Sequence, residues 1–228
     1  MADRPILFSA PMVRALLAGT KTQTRRLNGV PAIEQTSTGW WHVKGRAGGT
    51  LCRDEADVGE LAKDYLPIQP GDRLWVRESY FQRGRWEPVH GAVTRKGGRQ
   101  KWRFVPDDDV IQFEAPPIYR KGRHPDDLAT PAWHKRLGRF MPRAASRLTL
   151  IVTDVRVQRV RDITLGDICA EGLASSIYDF KPVQRGFDAW LELWDSINGA
   201  GSWDANPWVA AYTFVVHQQN IDAMEKAA

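Results

Sequence analysis

At 228 residues the chain is long enough for one elaborated domain, or two small ones, with a sizeable core. Hydrophobic residues at 43% and charged residues at 26% exclude collagen-like, disordered and coiled-coil classes. The net charge of +5 favours anionic partners only weakly and falls short of the excess of a dedicated duplex-DNA binder, although Arg outnumbers Lys 23 to 9 and ten Trp are present.

No apolar run approaches the ~18–20 residues of a membrane span, and the start MADRPILFSAPMVRALLAG has no basic segment leading into a long apolar core, so the expected location is cytoplasmic. Cys52 and Cys169 are too few for a disulfide framework and lack C-x-x-C spacing; they read as small apolar residues. His42, His90, His124, His134 and His217 show neither H-x-x-x-H nor H-E-x-x-H spacing, so no metal is indicated. Glycine-rich dinucleotide and phosphate loops are missing too, which leaves no cofactor implied.

In chain order, residues 4–9 read as a short strand, and Pro11 then opens a helix through Met12, Ala15 and Leu16 that stops at Gly19. Residues 28–68, rich in Gly, Thr and charge, read as an insertion or loosely structured arm. The turn Gln69-Pro70-Gly71-Asp72 feeds Arg73 to Glu78, whose alternation predicts a half-buried strand. A second, basic and turn-rich insertion covers 82–143, with strand-like pieces at Trp102 to Val105 and Val110 to Phe113.

In 147–160 the apolar phase slips from Leu148, Leu150 and Val152 to Val155 and Val157, which predicts a bulged strand. Thr164-Leu-Gly-Asp167 is a capping-box pattern opening a helix to about Gly172, with Ile168 and Cys169 facing inward. Phe187, Trp190, Leu191, Trp194 and Ile197 recur at helical spacing. A loop through Trp203, Asp204, Asn206 and Trp208 then leads to a closing strand, Val209 to His217, and the last ten residues are expected to fray. Strands with short helices and no regular β-α-β alternation give an α+β fold on a small curled sheet, one domain over 1–228.

Chemistry concentrates in Leu17 to Leu27, where Lys21, three hydroxyls and two Arg follow the helix stop. A desolvated Lys beside a Thr can act as a dyad: the amine accepts the hydroxyl proton, and the alkoxide attacks a carbonyl. A neighbouring guanidinium such as Arg26 can steady the developing oxyanion or hold a base carbonyl. Phe8 and Ser9 precede this segment and are candidates to line a nucleoside pocket; Trp208 and Asn206 are candidates to stack on a pyrimidine and read its edge.

Gly19-x-Lys21-x-x-Thr24-x-Arg26 after a short helix, the Pro-Gly-Asp turn into the strand from Pro70 to Glu78, and a helix carrying Ala170-Glu171-Gly172 together resemble the ASCH superfamily. The likeness covers most of the chain apart from the two insertions and includes PILFSAPMVRALLAGTKTQTRR, GDRLWVRE and SWDANPW. It implies a PUA-like β-barrel. It also implies the activity of the family's small amidohydrolases, which remove the acetyl group of N4-acetylcytidine with a Lys, a Thr and a Glu.

Lys21 and Thr24 are thereby implied as base and nucleophile, with Glu171 or Glu78 as the acid. Thr24 either attacks the acyl carbon or only binds substrate while Lys21 and Glu activate water. The alternative class is a non-catalytic RNA-binding module gripping phosphates through the basic stretches at 95–103 and 134–147. A nuclease using the same groups without metal is the third reading.

Overall fold

The computed structural model describes residues 1–45, 48–95, 97–123 and 127–224. Its centre is a five-stranded sheet of β1 (Asp3–Leu7), β6 (Arg73–Arg77), β10 (Thr149–Arg159), β11 (Trp208–His217) and β2 (Gln23–Arg26), in that spatial order. β1 runs parallel to β6; the other pairings are antiparallel. The strand predicted to alternate between core and solvent is instead central, so Arg73, Leu74, Trp75 and Val76 are all buried. Arg73 is accommodated there by Asp3, whose two carboxylate oxygens each accept at 2.8 Å.

The expected bulge in β10 is present, as a register shift between Val152 and Asp154, and it leaves Leu148, Leu150, Val152, Val155 and Val157 all buried. The shift adds twist and curls the sheet. The sheet does not close into a barrel: β1 and β2 are its two edges, and the described residues show no ladder between them. The helix α1 (Ala10–Leu17) connects the two edge strands in sequence, with Pro11 in its first turn and Gly19 at φ 73° after its end. Arg26 reaches across the seam, donating from Nη2 to the Leu7 carbonyl at 3.1 Å.

Both insertions carry ordered structure. Within 28–68 the chain forms an antiparallel sheet of β3 (Ala32–Gln35), β4 (Trp41–Gly45) and β5 (Gly48–Cys52), followed by α2 (Glu55–Lys63). Val43, Cys52, Val58 and Ala62 join the main core, so the arm is a packed layer and not a loose one. In the second insertion, β7 (Tyr80–Val93) and β8 (Gln100–Gln112) make a long hairpin with β9 (Ala132–Arg136) alongside, and the two short strand-like pieces are parts of β8.

Two apolar clusters lie on opposite sides of β11: Ala210, Tyr212 and Phe214 join Phe8, Leu16, Leu74 and Leu150, while Val209 joins Ile168, Trp190 and Trp194. Ile168 belongs to α3 (Leu165–Ala170), opened by the Thr164/Asp167 capping box, and the two Trp belong to α4 (Gln184–Asn198). Leu191 and Ile197 lie on the exposed side of α4, so its aromatic face is narrower than the spacing implies. The segment past β11 is docked: Ile221 is fully buried and the Asn220 amide donates to the carbonyls of Arg143, Ala144 and Ser146. None of the described helices is long and apolar enough to cross a membrane.

Candidate active site

The site begins where α3 ends. Gly172 adopts φ 90°, Leu173 N–H donates to the Ile168 carbonyl at 3.4 Å and Gly172 N–H to that of Cys169 at 2.8 Å, a Schellman ending that a left-handed glycine permits. A Cβ on Gly172 would come within 2.9 Å of Ala15 Cβ and 3.0 Å of Lys21 Cβ, so the glycine also lets the helix end press against the chain that follows α1. Lys21 and Glu171 meet there in an isolated antiparallel bridge.

Lys21 is fully buried. Its Nζ donates to the Glu171 carbonyl at 2.9 Å and lies 2.7 Å from Glu171 Oε2, so one ammonium satisfies both a helix-terminal carbonyl and a carboxylate. Burial pushes the Lys21 ammonium below its ordinary value; the Glu171 carboxylate pulls the other way, and the charges of Arg26 and Arg25 add to the lowering.

The second oxygen of Glu171 faces Arg25, a residue the sequence did not single out. Arg25 is buried, with Nη1 at 3.3 Å from Glu171 Oε1 and 2.6 Å from Gln23 Oε1, and Nη2 at 3.0 Å from Asp167 Oδ2. Burial opposes the charge on Asp167, yet hydrogen bonds from Arg156 and Thr164 and the nearby Arg25 hold its carboxyl below the usual range. The signal for Arg25 was present as strand parity: Lys21, Gln23 and Arg25 alternate with Thr22, Thr24 and Arg26, and the odd set faces α3.

Thr24 lies on the other face. It pairs with Tyr212 across the β2–β11 ladder, is fully buried, and its Oγ1 has no hydrogen-bond partner. The Lys–Thr dyad is therefore not formed, since the hydrogen bonds of Lys21 Nζ go to Glu171. Tyr212 hydroxyl is likewise unpartnered and burial pushes its proton affinity up, to about 12.

Glu171 and Arg25 line a cleft of about 680 Å3 that opens at the seam between the sheet edges. Such a volume lies within the ~300–1,000 Å3 usual for small-molecule sites. Phe8, Ser9 and Arg26 also line it, Phe8 lying beneath the Arg26 guanidinium at 4.9 Å and 5.7 Å from Lys21 Nζ. One wall is apolar, from Trp190, Leu193 and Trp194 of α4. Thr24 is not among the lining residues.

Three expected residues stand elsewhere. Glu78 is held by Arg147 through two bonds of 2.9 and 3.0 Å, because Arg147 enters β10 beside the end of β6; the carboxylate on Lys21 is Glu171. Asn206 and Trp208 line a different cleft, of about 720 Å3, with Glu55 and Arg159. Asn206 sits at φ 44° and accepts from the Arg161 N–H at 3.1 Å, fixing the loop, while Trp208 lies under the Arg159 guanidinium at 4.3 Å.

In the basic stretches, Arg103 pairs with Glu87, Arg143 with Asp3 and Asp222, and Arg136 stacks on Phe104 at 4.0 Å, so these cations are engaged within the chain. Lys96 and His124 fall outside the described residues. His134 is buried against Trp86 and Phe104, with Nδ1 3.0 Å from the Gly122 carbonyl.

Comparisons with protein-family models, with curated proteins and with solved structures returned no match.

Proposed function

We propose that this chain is an ASCH-type amidohydrolase that removes the acyl group from N4-acylated cytidine or cytosine. The observation that carries the reading is Glu171. It stands on the wall of a partly apolar cleft, with a buried ammonium on one carboxylate oxygen and a buried guanidinium on the other. A carboxylate so placed is fixed in orientation and shielded from bulk water, so its charge acts on a bound substrate with little screening.

Of the two routes implied by the resemblance, the geometry favours attack by water. Thr24 Oγ1 is buried away from the Lys21 bond network, so the reading assigns it no bond-making step. Water held at Glu171 loses a proton to the carboxylate as its oxygen attacks the acyl carbon. Arg25 and Arg26 face the resulting oxyanion. The proton then returns to N4 as the C–N bond breaks, leaving the cytosine amino group and a carboxylic acid that ionises in solution. Lys21, whose hold on its own proton is weakened by burial, balances the charge on Glu171 as that proton moves. No cofactor enters the balance.

The test is turnover of N4-acetylcytidine followed by ultraviolet absorbance. Wild type should hydrolyse it, and Lys21→Ala and Glu171→Gln should each lose about 100-fold or more of kcat/KM, the range for removal of a general acid or base. No turnover by wild type, or equal turnover by Lys21→Ala, overturns the reading. Salt-sensitive RNA binding that survives Lys21→Ala would replace it with the RNA-binding alternative.

A further inference from the structure

The cleft holds more positive charge than its catalytic carboxylate requires. Arg25, Arg26 and Arg139 line it, and the single acidic side chain in the lining, Glu171, is already engaged by Lys21 and Arg25. Arg25 is further balanced by Asp167. Arg26 feels the Glu171 charge only from beyond contact distance, and Arg139 is exposed. Arg26 gives two of its donors to the carbonyls of Arg25 and Leu7, at 3.2 and 3.1 Å, and Arg139 rests on the Phe140 ring at 4.9 Å. Among the described residues neither guanidinium has a carboxylate partner.

The two are brought to the same part of the cleft through Leu7. Its carbonyl accepts from Arg26, and its side chain packs against Gly138, the neighbour of Arg139, where a Cβ would come within 2.7 Å of Leu7 Cδ1 and 2.9 Å of the Glu78 carbonyl carbon. The glycine thus lets the turn carrying Arg139 close on the seam. Ser9 stands at the same mouth as the N-cap of α1, and its side chain makes no capping bond, so its hydroxyl is open to a ligand.

We infer that the substrate carries a phosphate, which Arg139 and Arg26 bind at the seam while the acylated base reaches Glu171. This rests on the acylcytidine reading: the anionic group that a nucleoside brings is a phosphate, and guanidinium forks match phosphate oxygens in pairs. A neutral nucleoside would leave the half-buried Arg26 guanidinium and the exposed Arg139 at the mouth without an anionic group to bind. The phosphate is either that of a free nucleotide or one in an oligonucleotide.

The experiment compares kcat/KM for N4-acetylcytidine, its 5′-monophosphate, and a trinucleotide with N4-acetylcytidine in the middle. The phosphorylated forms should exceed the nucleoside by about tenfold or more, the worth of one hydrogen bond to a charged group. Arg139→Gln should bring that ratio toward one and Arg139→Lys should keep part of it. A trinucleotide preferred over the monophosphate assigns the phosphate to a polymer; the reverse assigns it to a free nucleotide. Equal values for all three substrates, or a ratio unchanged in Arg139→Gln, overturn the inference while leaving the hydrolase reading intact.

Calorimetric binding of cytidine 5′-monophosphate against cytidine, at low and high salt, is independent of hydrolysis. A salt-sensitive preference for the monophosphate supports the phosphate site even if no acylcytidine is turned over, and equal binding of the two refutes it.

Discussion

Replacing Glu171 by Gln removes the only carboxylate that meets Lys21 among the described residues, at a place where the side chains are 0% and 2% exposed. Breaking a buried pair from one side costs ~3–5 kcal/mol, because the remaining charge stays desolvated. That is a large share of the ~5–15 kcal/mol that holds a domain together, and for a chain of this size it lowers Tm by roughly 6–20 °C. Burial has already moved Lys21 below its ordinary value of 10.5. The native chain therefore binds fewer protons than the unfolded chain between the lowered value and 10.5, and stability rises with pH across that window. Removing the carboxylate takes away the interaction that raises Lys21, so the window extends to lower pH. The loss in Glu171→Gln should be larger at neutral pH than at alkaline pH, where the ammonium gives up its proton. Adding Lys21→Met should recover ~2–3 kcal/mol of the summed single losses, since no charge is then stranded. Urea denaturation of the four proteins at two pH values measures every quantity. A loss below ~1 kcal/mol in Glu171→Gln, or additive single losses, would refute the reasoning that the pair is buried and coupled.

Thr24→Val replaces an unpartnered buried hydroxyl by a methyl and should leave stability unchanged or raise it by up to ~1 kcal/mol in chemical denaturation. It should also keep hydrolysis; a stable, inactive Thr24→Val would make the hydroxyl the nucleophile after all. Glu78→Gln should cost ~1–3 kcal/mol by loosening Arg147, yet leave turnover intact, and loss of turnover in a folded variant would return Glu78 to the site. Gly172→Ala forces a side chain onto φ 90° and against Ala15 and Lys21, and should cost ~2–4 kcal/mol in thermal unfolding, with a drop in hydrolysis.

Local chemistry in the sequence carried much of the fold. The slip in apolar phase along β10 became a register shift, Thr164 and Asp167 close a capping box, and Trp190 and Trp194 are buried as helical spacing requires. What the sequence hid were properties decided by distant neighbours. Arg73 reads as a surface residue until Asp3 pairs with it in the centre of a sheet, and residues 28–68 read as loose because their apolar contribution is spread thinly over β4, β5 and α2. Ile221 looked like part of a fraying end because burial there depends on β6, whose Arg73 donates to its carbonyl.

The candidate site was legible to the same degree and for the same reason. Lys21, Thr24 and Arg26 draw notice because they crowd one short segment, but crowding in sequence is not contact. Side chains alternate along an extended segment, so Lys21, just before β2, and Thr24, within it, are three apart and fall on opposite faces, where on a helix they would share one. Parity alone therefore opposes the dyad and promotes Arg25. Which face meets α3 is a different matter. It is set by the pairing of Thr24 with Tyr212, and by Gly172, whose left-handed turn delivers Glu171 to Lys21 from 150 residues away. The division has a chemical consequence: the odd face holds Lys21 and Arg25 on the two oxygens of one carboxylate, while the even face sends Arg26 to the seam and leaves the hydroxyls of Thr24 and Tyr212 unpartnered in the core. Acid–base work needs groups that can exchange a proton and a charge that can be balanced, and only the odd face provides both.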